Sequence, residues 1–230
     1  MWLGKSRCPS GACCMINHLD EQEILRYLGY PAGKSPDAQT AALIRECSIR
    51  LLNSARPKYI ENSFLLDHQN DEILLAGSSI YLPGKSIANH LQGCTHCVIM
   101  AATLGIEADR VIRQTQLFAM TTAVVMDACA TAYIEAFCDA AEAAINKKYG
   151  PCNFRFSPGY GDLPITLQKD LLVLLDAEKK IGLHVNASNL LIPGKSVTAI
   201  LGITNQGPRR KNKCDLCQNK ERCAFCRNGK

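Results

Sequence analysis

Histidine is scarce in this 230-residue chain, and the five present (His18, His68, His90, His96 and His184) are scattered. No HExxH sequence and no Cys–His nucleophile pairing occurs, so no hydrolase or acid–base site is legible. A phosphate-binding loop is missing as well. Gly-Lys-Ser recurs at 33–35, 84–86 and 194–196, yet the position five residues ahead of each, where such a loop needs glycine, holds Leu28, Ser79 and Asn189. That excludes nucleoside triphosphate binding through this motif. An uninterrupted apolar run of membrane length is also lacking. Residues 117–138 come nearest, but Asp127 and Glu135 break the run, and ionised groups at bilayer depth are costly. A long helix buried in a core is expected there instead. The first 16 residues carry Lys5, Arg7 and three cysteines, with no apolar stretch of signal-peptide length. Residues 1–14 are expected to be disordered or a mis-called start, with Met15 reading as the natural one.

Basic charge is missing from the body of the chain. Residues 208–230 hold eight Lys/Arg against two Asp/Glu, which leaves 18 basic and 19 acidic residues elsewhere. A nucleic-acid-binding body is therefore disfavoured, and a basic tail that docks on an acidic partner is left open. Cysteine, by contrast, is abundant at 13 residues. Cys47, Cys129 and Cys138 fall inside apolar helical patterns, where a free thiol acts as a small hydrophobe. With no signal peptide, this usage indicates a reducing, cytoplasmic compartment.

At 47% hydrophobic residues the chain can bury a full core. The spacing predicts helices over 20–28, 37–54, 86–91, 106–113 and 117–147, and an amphipathic helix over 163–179 with Leu167, Leu171, Leu174 and Leu175 on one face. Strands are expected at 59–66, 72–75, 97–102, 154–156, 183–187 and 196–203. Without clean α/β alternation the fold class is α+β, with an antiparallel sheet and one long central helix. One domain is expected over 15–207, followed by a tail over 208–230. The hexapeptides Leu82-Pro83-Gly84-Lys85-Ser86-Ile87 and Ile192-Pro193-Gly194-Lys195-Ser196-Val197 look alike, though six residues do not establish a repeat.

The richest stretch is Arg155-Phe156-Ser157-Pro158-Gly159-Tyr160-Gly161-Asp162. An arginine offers a planar, permanently charged fork for a carboxylate. Gly159 and Gly161 allow close backbone approach and bare N–H donors, and Tyr160 adds a flat face with a polar tip. A Pro-Gly turn with a surface ion pair would use the same residues. On the long helix Asp127, Thr131 and Glu135 form a stripe at i, i+4 and i+8. These carboxylates need partners, and Arg110 or Arg113 is expected to supply one, unless Glu135 faces a ligand.

This R-x-x-x-G-Y pattern, followed by the amphipathic helix, Ile181-Gly182-Leu183 and Pro193-Gly194-Lys195-Ser196-Val197, resembles the activation domain of cobalamin-dependent methionine synthase, in its short stand-alone form. The resemblance spans roughly 38–202 and is specific from Arg155 to Gly202. It implies a curved antiparallel sheet packed with helices. It implies S-adenosylmethionine bound near Arg155 (carboxylate), Gly159, Tyr160 and Gly161, with Glu135 facing the ammonium or ribose hydroxyls. It further implies a partner corrinoid protein or cobalamin-dependent methyltransferase, most simply a methionine synthase lacking this domain, and an electron donor such as flavodoxin. The protein would then be part of a methyltransferase system rather than an acid–base enzyme. The chain departs from the family at Asn186-Ala187-Ser188, which lacks an acidic residue, and at Ile200-Leu201-Gly202, where aromatics are absent and contact would fall to the backbone.

In the tail, Cys214, Cys217, Cys223 and Cys226 form two C-x-x-C pairs, a metal-ligand pattern suited to zinc or to an iron–sulfur cluster. Free thiols on a mobile tail would show the same spacing. Cys94 and Cys97 form a third pair, expected to be core or redox-incidental, because no second pair with metal spacing lies beside it. Two other functions remain open: an accessory module docking on corrinoid proteins through the basic tail, and a metal-stapled nucleic-acid binder using residues 208–213.

Overall fold

Two strands explain the continuous apolar runs of the sequence. β4 (His96–Thr103) and β7 (Ser196–Ile203) lie side by side, antiparallel, with His96 opposite Ile203 and Thr103 opposite Ser196. Alternate side chains leave a strand on opposite faces. Val98, Met100, Ala102, Ala199 and Leu201 enter one hydrophobic cluster, while Cys97, Ile99, Ala101 and Ile200 enter the other. Both faces of the sheet are buried, so neither strand shows the apolar–polar alternation of a sheet with one wet face.

The computed structural model describes residues 16–31, 33–69 and 72–204. The expectations for residues 1–14 and for the cysteine pairs of the tail lie outside them. β4 also pairs with the first two-thirds of β1 (Lys58–Gln69), whose last residues turn to β2 (Glu72–Leu75), which pairs in turn with β3 (Tyr81–Pro83). The result is a curled antiparallel half-barrel of five strands in the order β3-β2-β1-β4-β7. A separate hairpin joins β5 (His184–Val185) and β6 (Leu191–Ile192). The α+β class and the curved sheet are as the sequence predicts.

One face of the sheet carries α1 (Glu21–Tyr27), α2 (Ala38–Ser54), α4 (Ile106–Phe118) and α5 (Met120–Tyr149). Asp20 caps α1 through the Gln22 N–H and Asp37 caps α2 through the Thr40 N–H. α5 is the long helix, 30 residues. It starts after Ala119, whose extended backbone separates it from α4, so α4 runs longer than expected and α5 starts later. The other face carries α3 (Lys85–His90), α6 (Leu167–Leu175) and α7 (Ala177–Ile181). No helix of the described residues is long and apolar enough to cross a membrane.

Two expectations fail in instructive ways, and one open resemblance is settled. The helix predicted over 163–179 is two helices, broken where Asp176 takes a left-handed backbone (φ 56°). Residues 154–156 form no strand: the segment touches β7 only at the bridges Cys152–Ile203 and Phe156–Ile200. The two look-alike hexapeptides are not a structural repeat, because one leads into helix α3 and the other into strand β7.

All six described cysteines are buried, and no disulfide joins any two of them. Loss of solvent pushes the thiols up, to about 12 at Cys47 and to about 11 at Cys129 and Cys152. Such thiols serve packing rather than reactivity.

Candidate functional site

Arg155 sits in the segment that returns from α5 along β7. Its neighbour Phe156 is bonded to that strand in both directions, Phe156 N–H to Ile200 O at 3.0 Å and Ile200 N–H to Phe156 O at 2.8 Å. With Phe156 buried in one cluster, Arg155 turns the opposite way, toward α5. Its side chain is only 4% exposed and meets three carboxylates of that helix. Nη1 donates to Glu142 Oε2 at 2.8 Å, and Nη2 donates to Asp139 Oδ1 at 2.6 Å and Glu135 Oε2 at 3.2 Å. Burial acts against the charge, but Cys138, Asp139 and Glu142 outweigh it and raise the guanidinium pKa further. The alternative of a surface ion pair is thereby corrected: a buried cation with several partners is a structural commitment.

The stripe on α5 is longer than the sequence suggested. Met120, Val124, Asp127, Thr131, Glu135, Asp139 and Glu142 follow at three- and four-residue steps along one side. Two cations from outside the helix grip it. Arg155 holds the C-terminal half, and Lys195 holds the middle through Asp127 Oδ1 (2.8 Å) and Thr131 Oγ1 (2.9 Å). The expected partners, Arg110 and Arg113, are replaced by residues from the β7 region. Nothing in a helical period could have named them.

The Gly-Tyr-Gly turn does more folding than its composition suggests. The N–H of Gly159 donates to Leu163 O and that of Tyr160 to Ser157 O, so both are spent inside the turn. The bare donor expected at Gly159 is therefore not free for a ligand, and neither is the N–H of Tyr160. Gly161 (φ 55°) packs so closely on Ser86 that a Cβ would collide with its hydroxyl. Asp162 accepts from the Lys85 N–H at 2.7 Å and the Ser86 N–H at 2.9 Å. The Ser86 N–H, followed by the Ser86 hydroxyl and the Lys85 N–H, holds its carboxyl below the usual range. Two motifs that looked independent, Gly84-Lys85-Ser86 and Gly159-Tyr160-Gly161-Asp162, thus lock together. The third Gly-Lys-Ser uses the same device, with the Gly194 N–H donating to Asp109 Oδ2 at 2.8 Å.

Between α5, β7 and this turn lies a cleft of roughly 140 Å³. Glu135 and Arg155 form one wall, Ser157 and Tyr160 a second, and Ser196, Val197 and Thr198 the β7 side. At its base the Thr198 hydroxyl donates to Gln168 Oε1 at 3.1 Å, and Gln168 Nε2 donates to Asn189 O at 2.9 Å. Tyr160, about half exposed, meets Phe156 edge-on at 5.8 Å. The cleft thus unites Glu135, Arg155 and Tyr160 among the sequence candidates. Gly159 and Gly161 support it without lining it.

The sequence missed Asp139, Glu142, Gln168 and Thr198. The first two were detectable, because they continue the stripe at i+4 and i+7 from Glu135. The other two depend on long-range packing. Backbone contact at 200–202 is ruled out, since Ile200 is tied to Phe156 and Gly202 to Asn153 in both directions. The loop at 186–188 is closed on itself through Asn186, whose side chain accepts from Ser188 and Leu190.

A larger hollow, roughly 350 Å³, lies beside Tyr27, Gln116, Met120 and Val124. Its polar lining is Tyr27, Gln116, Asp127 and Thr131, the last two engaged by Lys195, and it includes no basic residue to meet a carboxylate. Convergent polar groups mark a binding site better than volume does, which favours the smaller cleft. No set of described residues is placed to hold a metal ion.

Among solved structures, a crystal structure of the MetH reactivation domain bound to AdoHcy matches over 80% of this chain and 73% of that one, with a TM-score of 0.64 at 17% sequence identity. The chain therefore has the fold of that reactivation domain, as the resemblance implied. No protein-family model and no curated protein matches the sequence.

Proposed function

We propose that this protein binds S-adenosylmethionine in the α5–β7 cleft and supports the reductive methylation of a corrinoid on a partner methyltransferase. The observation that carries the reading is the cleft itself, on the fold of a domain whose crystal structure is bound to AdoHcy. The residues present fit the ligand. Three carboxylates against one guanidinium leave two negative charges in excess, which suits a ligand with an ammonium and a sulfonium. Arg155 offers the complement to its carboxylate, and Glu135 the complement to its ammonium. Ser157, Thr198 and Gln168 offer hydroxyl and amide groups for sugar or base, and the exposed Tyr160 ring offers an apolar face. At roughly 140 Å³ the cleft is below the ~300–1,000 Å³ that encloses a whole drug-sized ligand. It seats the amino-acid end and leaves the rest along the open mouth.

A corrinoid bound on its partner and reduced by one electron from a donor such as flavodoxin would supply the electron pair that takes the methyl group, with S-adenosylhomocysteine as the leaving group. This chain's own residues bind and orient the methyl donor, work done by positioning and requiring no acid or base. The test is calorimetric titration of S-adenosylmethionine into the full chain, beside a Tyr160→Ala variant. Saturable one-site binding, weakened about tenfold in the variant, is expected. No heat up to millimolar ligand would overturn the reading.

A further inference from the structure

Both N–H groups on Nη2 of the buried Arg155 guanidinium are taken, so that nitrogen has no vacant place for a ligand carboxylate. Arg155 spends Nη1 on Glu142 and Nη2 on both Asp139 and Glu135, and only 4% of its side chain reaches solvent. A ligand carboxylate reaching Nη2 from the cleft, where its partner Glu135 lies, must therefore displace a carboxylate already there. The three are not equivalent. Glu142 is 26% exposed and Glu135 35%, whereas Asp139 is 68% exposed despite its 2.6 Å bond.

We propose that Asp139 is an exchangeable internal carboxylate, holding Arg155 Nη2 in the free protein and yielding that place to the carboxylate of an α-amino acid ligand. This rests on the binding reading above. The exchange is cheap for two reasons. An ion pair with one well-solvated partner contributes little, since water compensates the freed carboxylate. The buried cation keeps a full complement of partners, because one carboxylate replaces another.

The geometry selects a class of ligand. Glu135 shares Nη2 with Asp139 and lines the cleft. A simple carboxylate arriving at Nη2 would meet the Glu135 charge unopposed. A zwitterionic amino-acid head brings an ammonium beside its carboxylate, which answers Glu135 and keeps the released Asp139 close by. Asp139 therefore acts as a positioning and specificity residue: it keeps Arg155 in place in the free state and penalises ligands that cannot replace it.

The test compares Asp139→Asn with the wild-type full chain by calorimetry, using S-adenosylmethionine and its decarboxylated analogue, which keeps the amine and sulfonium. Thermal melts confirm that both proteins are folded. The asparagine holds Nη2 without charge and is easier to displace. The variant is expected to shift the affinity ratio toward S-adenosylmethionine by about three- to tenfold. In the wild type, the Asp139 carboxyl carbon signal should move on adding S-adenosylmethionine and stay fixed with the decarboxylated analogue. An unchanged ratio, or a shift toward the analogue, would overturn the exchange while leaving the binding reading intact. Absence of binding by the wild type would overturn both.

Discussion

Arg155 carries more structural weight than a ligand-contacting residue need carry. Its guanidinium joins the 151–156 segment to α5 through three carboxylates. Breaking a buried ion pair by removing one partner is costly, because the other charges are left together. Arg155→Met is expected to lower the unfolding free energy by about 3 kcal/mol or more, read from the urea midpoint. Loss of binding in an Arg155 variant would therefore reflect lost folding as well as lost contact. Tyr160, half exposed at the mouth, is the better probe. The chemistry of Arg155 was legible in R-x-x-x-G-Y, and the stripe containing Glu135 was legible in the helical period. Their meeting was not, since 20 positions separate them and periodicity says nothing about what faces a helix.

At the scale of elements, motifs that read as ligand loops turn out to be joints. Asp162 ties the Gly-Tyr-Gly turn to the start of α3, and α3 ends at His90, whose ring packs on Phe154 at 4.5 Å and Phe156 at 5.0 Å. Nε2 of His90 is buried without a hydrogen-bond partner. Burial pushes its pKa down to about 4. Above about pH 6.5 the imidazole is neutral whether folded or unfolded, and it adds no pH dependence. Between about 6.5 and 4 the unfolded chain binds a proton that the fold refuses, so stability falls with pH, by on the order of 3 kcal/mol across the window. His90→Phe should flatten that part of the wild-type profile in denaturant titrations. An unchanged slope would show that His90 is solvated. The elements themselves were unevenly legible. β7 and β4 followed from their apolar runs, and α2 from its apolar spacing. The break at Asp176 was hidden, because the apolar pattern continues through Ala177 and Ile181. The segment at 154–156 was misread because aromatic residues favour strands, yet here Phe154 and Phe156 serve as packing for His90.

At the scale of the molecule, a sheet buried on both faces separates two hydrophobic clusters, and the cleft opens where α5, β7 and the Gly-Tyr-Gly turn converge. α5 is central to the arrangement: its buried residues build one cluster, and its remaining stripe is gripped by Lys195 and Arg155. The placement makes chemical sense for a protein that positions a ligand, since all walls of the cleft belong to packed elements and few of its polar groups are free to wander. The most direct measurement is a crystal structure of the full chain with S-adenosylmethionine. The account predicts ligand density in the α5–β7 cleft, the amino-acid end at Arg155 and Glu135, and the remainder passing Tyr160. Density confined to the hollow beside Tyr27 and Met120, or a cleft unchanged at saturating ligand, would contradict it.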